Sequence, residues 1–117
     1  MKFSAHIMDR VFGIPAADLC IVLRRQQNAE WLLVKSGQTG ADGRVADWPG
    51  QNFHVGIYQL EIEIDGYYSS MGMTALNPRV IVEFQAFDSR VDLHMEILIT
   101  TNSFQVYQEI SGSIDPT

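Results

Sequence analysis

A single cysteine, Cys20, in 117 residues cannot form an intrachain disulfide, so no disulfide framework holds this fold together. Positive charge is also scarce. Eight Lys and Arg stand against 14 Asp and Glu, a net charge of −6, and only Arg24 and Arg25 are adjacent. Such a chain presents no cationic face to a phosphate backbone or an anionic bilayer, which argues against nucleic-acid and membrane partners. Long apolar runs are missing: the longest lies near Leu19 to Leu23, far short of the roughly 20 residues that span a bilayer. The amino terminus lacks the charged-then-apolar pattern of an export signal, and Asp115-Pro116-Thr117 is no retention or peroxisomal address, so a cytoplasmic location is expected. There is no G-x-S-x-G elbow, P-loop or dinucleotide fingerprint, and no two histidines stand at zinc-motif spacing. Neither a metal nor another cofactor is expected.

What is present is a 46% hydrophobic chain, long enough for one core and too short for two, so residues 1–117 read as a single domain. Period-two alternation dominates. Tyr58, Leu60, Ile62 and Ile64 alternate with Gln59, Glu61, Glu63 and Asp65, which is a strand with one face on a core, and Asp65-Gly66 supplies the following turn. The same pattern marks Val80 to Phe87, Val91 to Thr100, Phe3 to Asp9, and Ser103 to Ile110, the last with Phe104, Val106 and Ile110 inward. Leu19 to Arg24 and Trp31 to Lys35 form a hairpin around the polar Arg25 to Glu30 segment. Ser36 to Gln51 is the longest loop, and Ser69 to Pro78 is the place for a helical turn. These segments describe an all-β domain of seven or eight strands, and a sandwich suits them better than a barrel. Ile81, Phe87, Leu98 and Met8 fall on faces that should be wet, which points to a homo-oligomer.

Alternation places His6 and His94 on polar faces, His94 between Asp92 and Glu96, and Tyr107 and Glu109 on a face of the same kind. Histidine is the side chain best suited to proton transfer near neutral pH. In Asp42-Gly43-Arg44 the Asp-Gly pair is a turn former that aims Arg44, a planar fork of donors for a carbonyl or enolate-like oxygen. Cys20, between Leu19 and Ile21, reads as a small core residue rather than a nucleophile.

Ser4-Ala5-His6-Ile7-Met8-Asp9, Gly13-Ile14-Pro15-Ala16, Thr39-Gly40-Ala41-Asp42-Gly43-Arg44 and Gly56-Ile57-Tyr58-Gln59-Leu60 occur in the order and spacing of one family. Together with Asn77-Pro78-Arg79-Val80 and His94, they resemble the 5-hydroxyisourate hydrolase branch of the transthyretin family over nearly the whole chain. The resemblance implies a transthyretin-like β-sandwich of two four-stranded antiparallel sheets with one short helix. It also implies a homotetramer whose sites line the channel at the dimer–dimer interface, and a small cyclic substrate. The family's catalytic histidines and turn arginine fall on His6, His94 and Arg44.

The chain departs from the family at its carboxyl end. Tyr107-Gln108-Glu109-Ile110 stands where a terminal Y-R-G-S is usual, and Ser111 to Thr117 follow. Asp92 replaces the first histidine of an H-Y-H motif, and Glu96 replaces a proline. A more acidic channel disfavours an anionic ureide. Tyr107, Glu109, Asp92 and Met8 are the residues expected to orient substrate or histidine, and a tail folded back over the channel would offer Ser111 or Ser113 as the missing hydroxyl. Three functions follow. The first is hydrolysis of a cyclic amide, ureide or lactone by His/His/Arg acid–base catalysis. The second is a non-hydrolytic isomerisation, cyclisation or elimination on a secondary metabolite by the same groups, and the third is carriage of a small molecule without chemistry.

Overall fold

Alternation along the strands becomes two sheets packed face to face. A computed structural model describes residues 1–45, 48 and 52–112. Its elements are β1 (Lys2–Asp9), β2 (Ile14–Pro15), β3 (Cys20–Gln27), β4 (Glu30–Gln38), β5 (Gly56–Ile62), α1 (Ile64–Ser69), β6 (Val80–Ala86), β7 (Val91–Ile99) and β8 (Phe104–Gly112). One four-stranded sheet runs β2-β1-β7-β8 and the other β4-β3-β5-β6. The pairings are antiparallel except that of β1 with β7, which is parallel.

The core lies where the inner faces meet. Phe3 of β1 stacks on Phe84 of β6 at 5.5 Å between ring centroids, and Phe84 stacks on Tyr58 of β5 at 5.5 Å. Phe3, Ala5 and Ile7 of β1 are buried, as are Val91, Leu93, Met95, Ile97 and Ile99 of β7, so both central strands leave their even-numbered residues on the outer face. That parity delivers His6 and His94 to one surface.

Local expectations fail where polarity and backbone geometry diverge. Arg25 to Glu30 is mostly strand: Gln27 pairs with Glu30, and the turn is only Asn28 and Ala29, both at positive φ as a two-residue hairpin requires. Asp65-Gly66 is no turn but part of α1, which begins before the Ser69 to Pro78 segment. Ile64 and Tyr68, four residues apart, bury one helical face, and Asp65 sits in the first turn where a carboxylate suits the helix dipole. The Ser36 loop is shorter than expected, because β4 runs to Gln38 and Thr39 bridges Val45. Phe104 and Ile110 stay exposed because β8 is an edge strand. Cys20 is exposed beside Gln38, not buried. Ile81 and Phe87 are exposed as expected, whereas Met8 and Leu98 are half-buried.

Candidate active site

Parallel pairing of β1 and β7 sets Ser4 against His94 and His6 against Glu96. Their side chains share the outer face and form a continuous chain. Ser4 Oγ lies 2.6 Å from His94 Nδ1, His94 Nε2 lies 2.7 Å from Glu96 Oε1, and Glu96 Oε2 lies 2.9 Å from His6 Nδ1. The side chains of His6, His94 and Glu96 are 17%, 27% and 40% exposed, so the group is reachable from solvent yet partly screened from it. Burial pushes the Glu96 carboxyl up, but hydrogen bonds from His94 and His6 outweigh it and hold the group below its ordinary value. Glu96 is therefore the anionic centre of the cluster.

Arg44 is tied to β1 through a backbone device. Gly40 N–H donates to the Arg44 carbonyl at 2.7 Å, and Gly43 N–H donates to Gly40 at 3.0 Å. Asp42 Oδ1 accepts from Arg44 N–H at 2.9 Å. The turn docks onto β1 by the bond from Ile7 N–H to the Gly43 carbonyl, 2.9 Å. Gly43 has φ +77°, and a Cβ there would collide with the Ile7 carbonyl, so only glycine fits. The result is an isolated antiparallel bridge between His6 and Arg44. Among the described residues the Arg44 guanidinium has no ion-pair partner, which leaves it available to a substrate oxygen.

The other expected site residues share the surface without joining the chain. Asp92 Oδ1 accepts the Lys2 backbone N–H at 3.1 Å, so its carboxylate secures the start of β1. Tyr107 and Glu109 pair in register with Glu96 and His94 across β7 and β8, but neither bonds to a histidine. The Tyr107 hydroxyl donates instead to Gln105 at 3.4 Å. Met8 lies on the same face of β1, paired with Leu98. Lys2, Ser4, Asp92, His94 and Ser111 line an open cleft of about 240 Å³. Ser113 lies outside the described residues. Among the described residues no group of three His, Cys, Asp or Glu side chains is arranged to hold a metal ion.

Glu96 and Ser4 are the members that sequence reasoning passed over. Strand alternation already put Glu96 beside His94. What it could not show is the neighbour across the sheet, because parity reveals which face a residue occupies and not the register of the next strand.

An imidazole with a carboxylate behind it can accept a proton from water, and a guanidinium without an ion-pair partner can hold an oxyanion. The profile of the HIUase/Transthyretin family matches residues 3–109. A Salmonella typhimurium 5-hydroxyisourate hydrolase is 27% identical over 90% of this chain and 78% of its own length. The transthyretin of Aquarana catesbeiana is 32% identical over 90% of this chain and 71% of its own length. Among solved structures, Sparus aurata transthyretin superposes with a TM-score of 0.88 at 22% identity, covering 94% of this chain and 97% of that one. The Klebsiella pneumoniae 5-hydroxyisourate hydrolase superposes at 0.81 with 24% identity, covering 93% and 99%. A match over almost the full length, on a sandwich of two four-stranded sheets, identifies the chain as a member of the HIUase/transthyretin family.

Proposed function

We propose that this protein is a hydrolase that opens a cyclic amide, ureide or lactone, with 5-hydroxyisourate as the first candidate substrate. The observation that carries the reading is the unbroken outer-face cluster of His6, Glu96 and His94 with Arg44 bridged to His6. In this mechanism the histidine pair serves the proton transfers: a proton is accepted from the attacking water and one is returned to the departing ring atom. Arg44 holds the carbonyl oxygen as charge gathers on it. Met8, Tyr107, Glu109 and Asp92 flank the ring and set its orientation. The curated relatives named 5-hydroxyisourate hydrolase support the reaction class.

Glu96 is an added acid whose two carboxylate oxygens are both engaged, one by each imidazole. Glu109 remains the outer-face carboxylate with no partner among the described residues. A homotetramer that closes the channel over these groups fits the fold. The exposed Phe87 and Ile110, which border a cleft of about 370 Å³ between the edges of β6 and β8, support association.

The test is the absorbance decay of freshly generated 5-hydroxyisourate with wild type, His6→Ala, Arg44→Ala and His94→Ala. Acceleration by wild type that all three substitutions suppress is expected. A folded protein that binds the ring without speeding its decay would favour the carrier reading, which the frog transthyretin relative makes the natural rival.

A further inference from the structure

The two histidines are chemically similar but not equivalently placed, and one carboxylate makes the difference. Glu96 is held in its ionised form, and an ionised carboxylate has no hydrogen to give. The ring nitrogens facing it, His6 Nδ1 at 2.9 Å and His94 Nε2 at 2.7 Å, must therefore carry the protons. A neutral imidazole has one N–H, so neutral His94 offers a bare Nδ1, and that atom takes the Ser4 hydroxyl at 2.6 Å. Both nitrogens of His94 are then occupied inside the protein. Neutral His6, with its proton on Nδ1, keeps a lone pair on Nε2, and among the described residues that atom has no partner.

We propose that Glu96 is a positioning residue that fixes both tautomers, so that His6 takes the water's proton through Nε2 and hands that proton on to the departing ring atom, while His94 is committed to Ser4 and Glu96. This deepens the hydrolase reading and rests on it for the base's role, though not for the tautomers themselves. When His6 takes a proton from water, its imidazolium keeps the Nδ1–H bond to the same carboxylate, and the new charge is met where it forms. Charged and titratable groups around the cluster are Lys2 on β1, Asp92 on β7, Tyr107 and Glu109 on β8, and Arg44 on the docked turn.

Ring-nitrogen NMR reads this without any turnover. The chain has three histidines, His6, His54 and His94, so single substitutions assign every ring. On the full chain above the histidine titration range, His6 is expected as the Nδ1–H tautomer and His94 as the Nε2–H tautomer. In Glu96→Ala, His6 is expected to lose the Nδ1–H preference, and Glu96→Asp, too short to span both rings, to release one of them. A wild-type His6 protonated on Nε2, or a His6 tautomer unchanged in Glu96→Ala, overturns the proposal. Where 5-hydroxyisourate is turned over, Glu96→Ala should lower kcat about 100-fold with KM nearly constant. An unchanged kcat would also overturn it. Correct tautomers in a protein that does not accelerate the decay would sink the hydrolase reading and leave the tautomer assignment standing.

Discussion

Two of the carboxylates on the sheet that carries the site, Asp9 and Glu96, are held by different partners to different ends. Asp9, at the end of β1, is fully buried. Its Oδ1 accepts the Tyr68 hydroxyl at 2.8 Å and the Val11 N–H at 2.9 Å, and its Oδ2 accepts the Tyr67 hydroxyl at 2.8 Å. Glu96, on the outer face of β7, is partly exposed and accepts from two imidazoles. Phenol hydroxyls keep their protons throughout the physiological range, so Asp9 anchors α1 to the sheet as a fixed joint. Imidazoles exchange protons near neutrality, so the same arrangement around Glu96 becomes chemistry. The lesson is that the donor, more than the carboxylate, decides whether a partly desolvated acid is scaffold or machinery.

The strongest break in this comparison should come from the outer centre. His6→Ala should slow 5-hydroxyisourate decay on the order of 1,000-fold, equivalent to about 4 kcal/mol of barrier, while the unfolding midpoint stays in place. Asp9→Ala should do the reverse. Leaving two tyrosine hydroxyls and a strand end without their acceptor costs about 3 kcal/mol, read as a fall in thermal midpoint on the order of 10 °C. Tyr68→Phe should cost about 1.5 kcal/mol, and more than Tyr67→Phe, because the Tyr68 hydroxyl is the more deeply buried and also reaches the Ile99 carbonyl at 3.2 Å.

The smallest effects are pH-dependent and of opposite sense at the two centres. Burial and then the hydrogen bonds to Asp9 raise the hydroxyl pKa of Tyr67 and Tyr68 above 10.0. Their contribution is complete below that value and is lost as pH climbs toward the raised folded value, so alkaline titration should loosen α1 first. Glu96 has a folded value below its ordinary 4.5, despite the opposing push of burial. Its contribution is present above 4.5 and fades as pH falls through the lower folded value. Glu96→Gln should abolish that acid-side component, and Tyr68→Phe should reduce the alkaline one, in melts followed across pH.

Much of this was legible in the sequence. Strict alternation in Phe3–Asp9 and Val91–Thr100 fixed which side chains face the core, and Asp42-Gly43-Arg44 read correctly as a tight turn. What stayed hidden depends on neighbours distant in sequence. Asp65-Gly66 joined a helix because Ile64 and Tyr68 found a core to bury against. Cys20 surfaced because β3 starts with its first residue on the outer side. Asp9 looked like the end of an alternating strand, and nothing local announced that tyrosines 58 and 59 residues later would close over it. Glu96 was visible beside His94, but its second histidine comes from a parallel strand 90 residues away in sequence. Registers of that range are set by packing of the whole sandwich.

The account stands or falls on whether the outer-face groups work as one unit, and a double-mutant cycle on the decay of 5-hydroxyisourate measures that directly. Wild type, His6→Ala, Glu96→Ala and the double variant would be compared at equal folded concentration. Acceleration over buffer by wild type is expected, with a double variant no slower than His6→Ala alone, because Glu96 acts through the ring that has been removed. No acceleration from the folded wild type, or losses that multiply as if the two residues were independent, would contradict it.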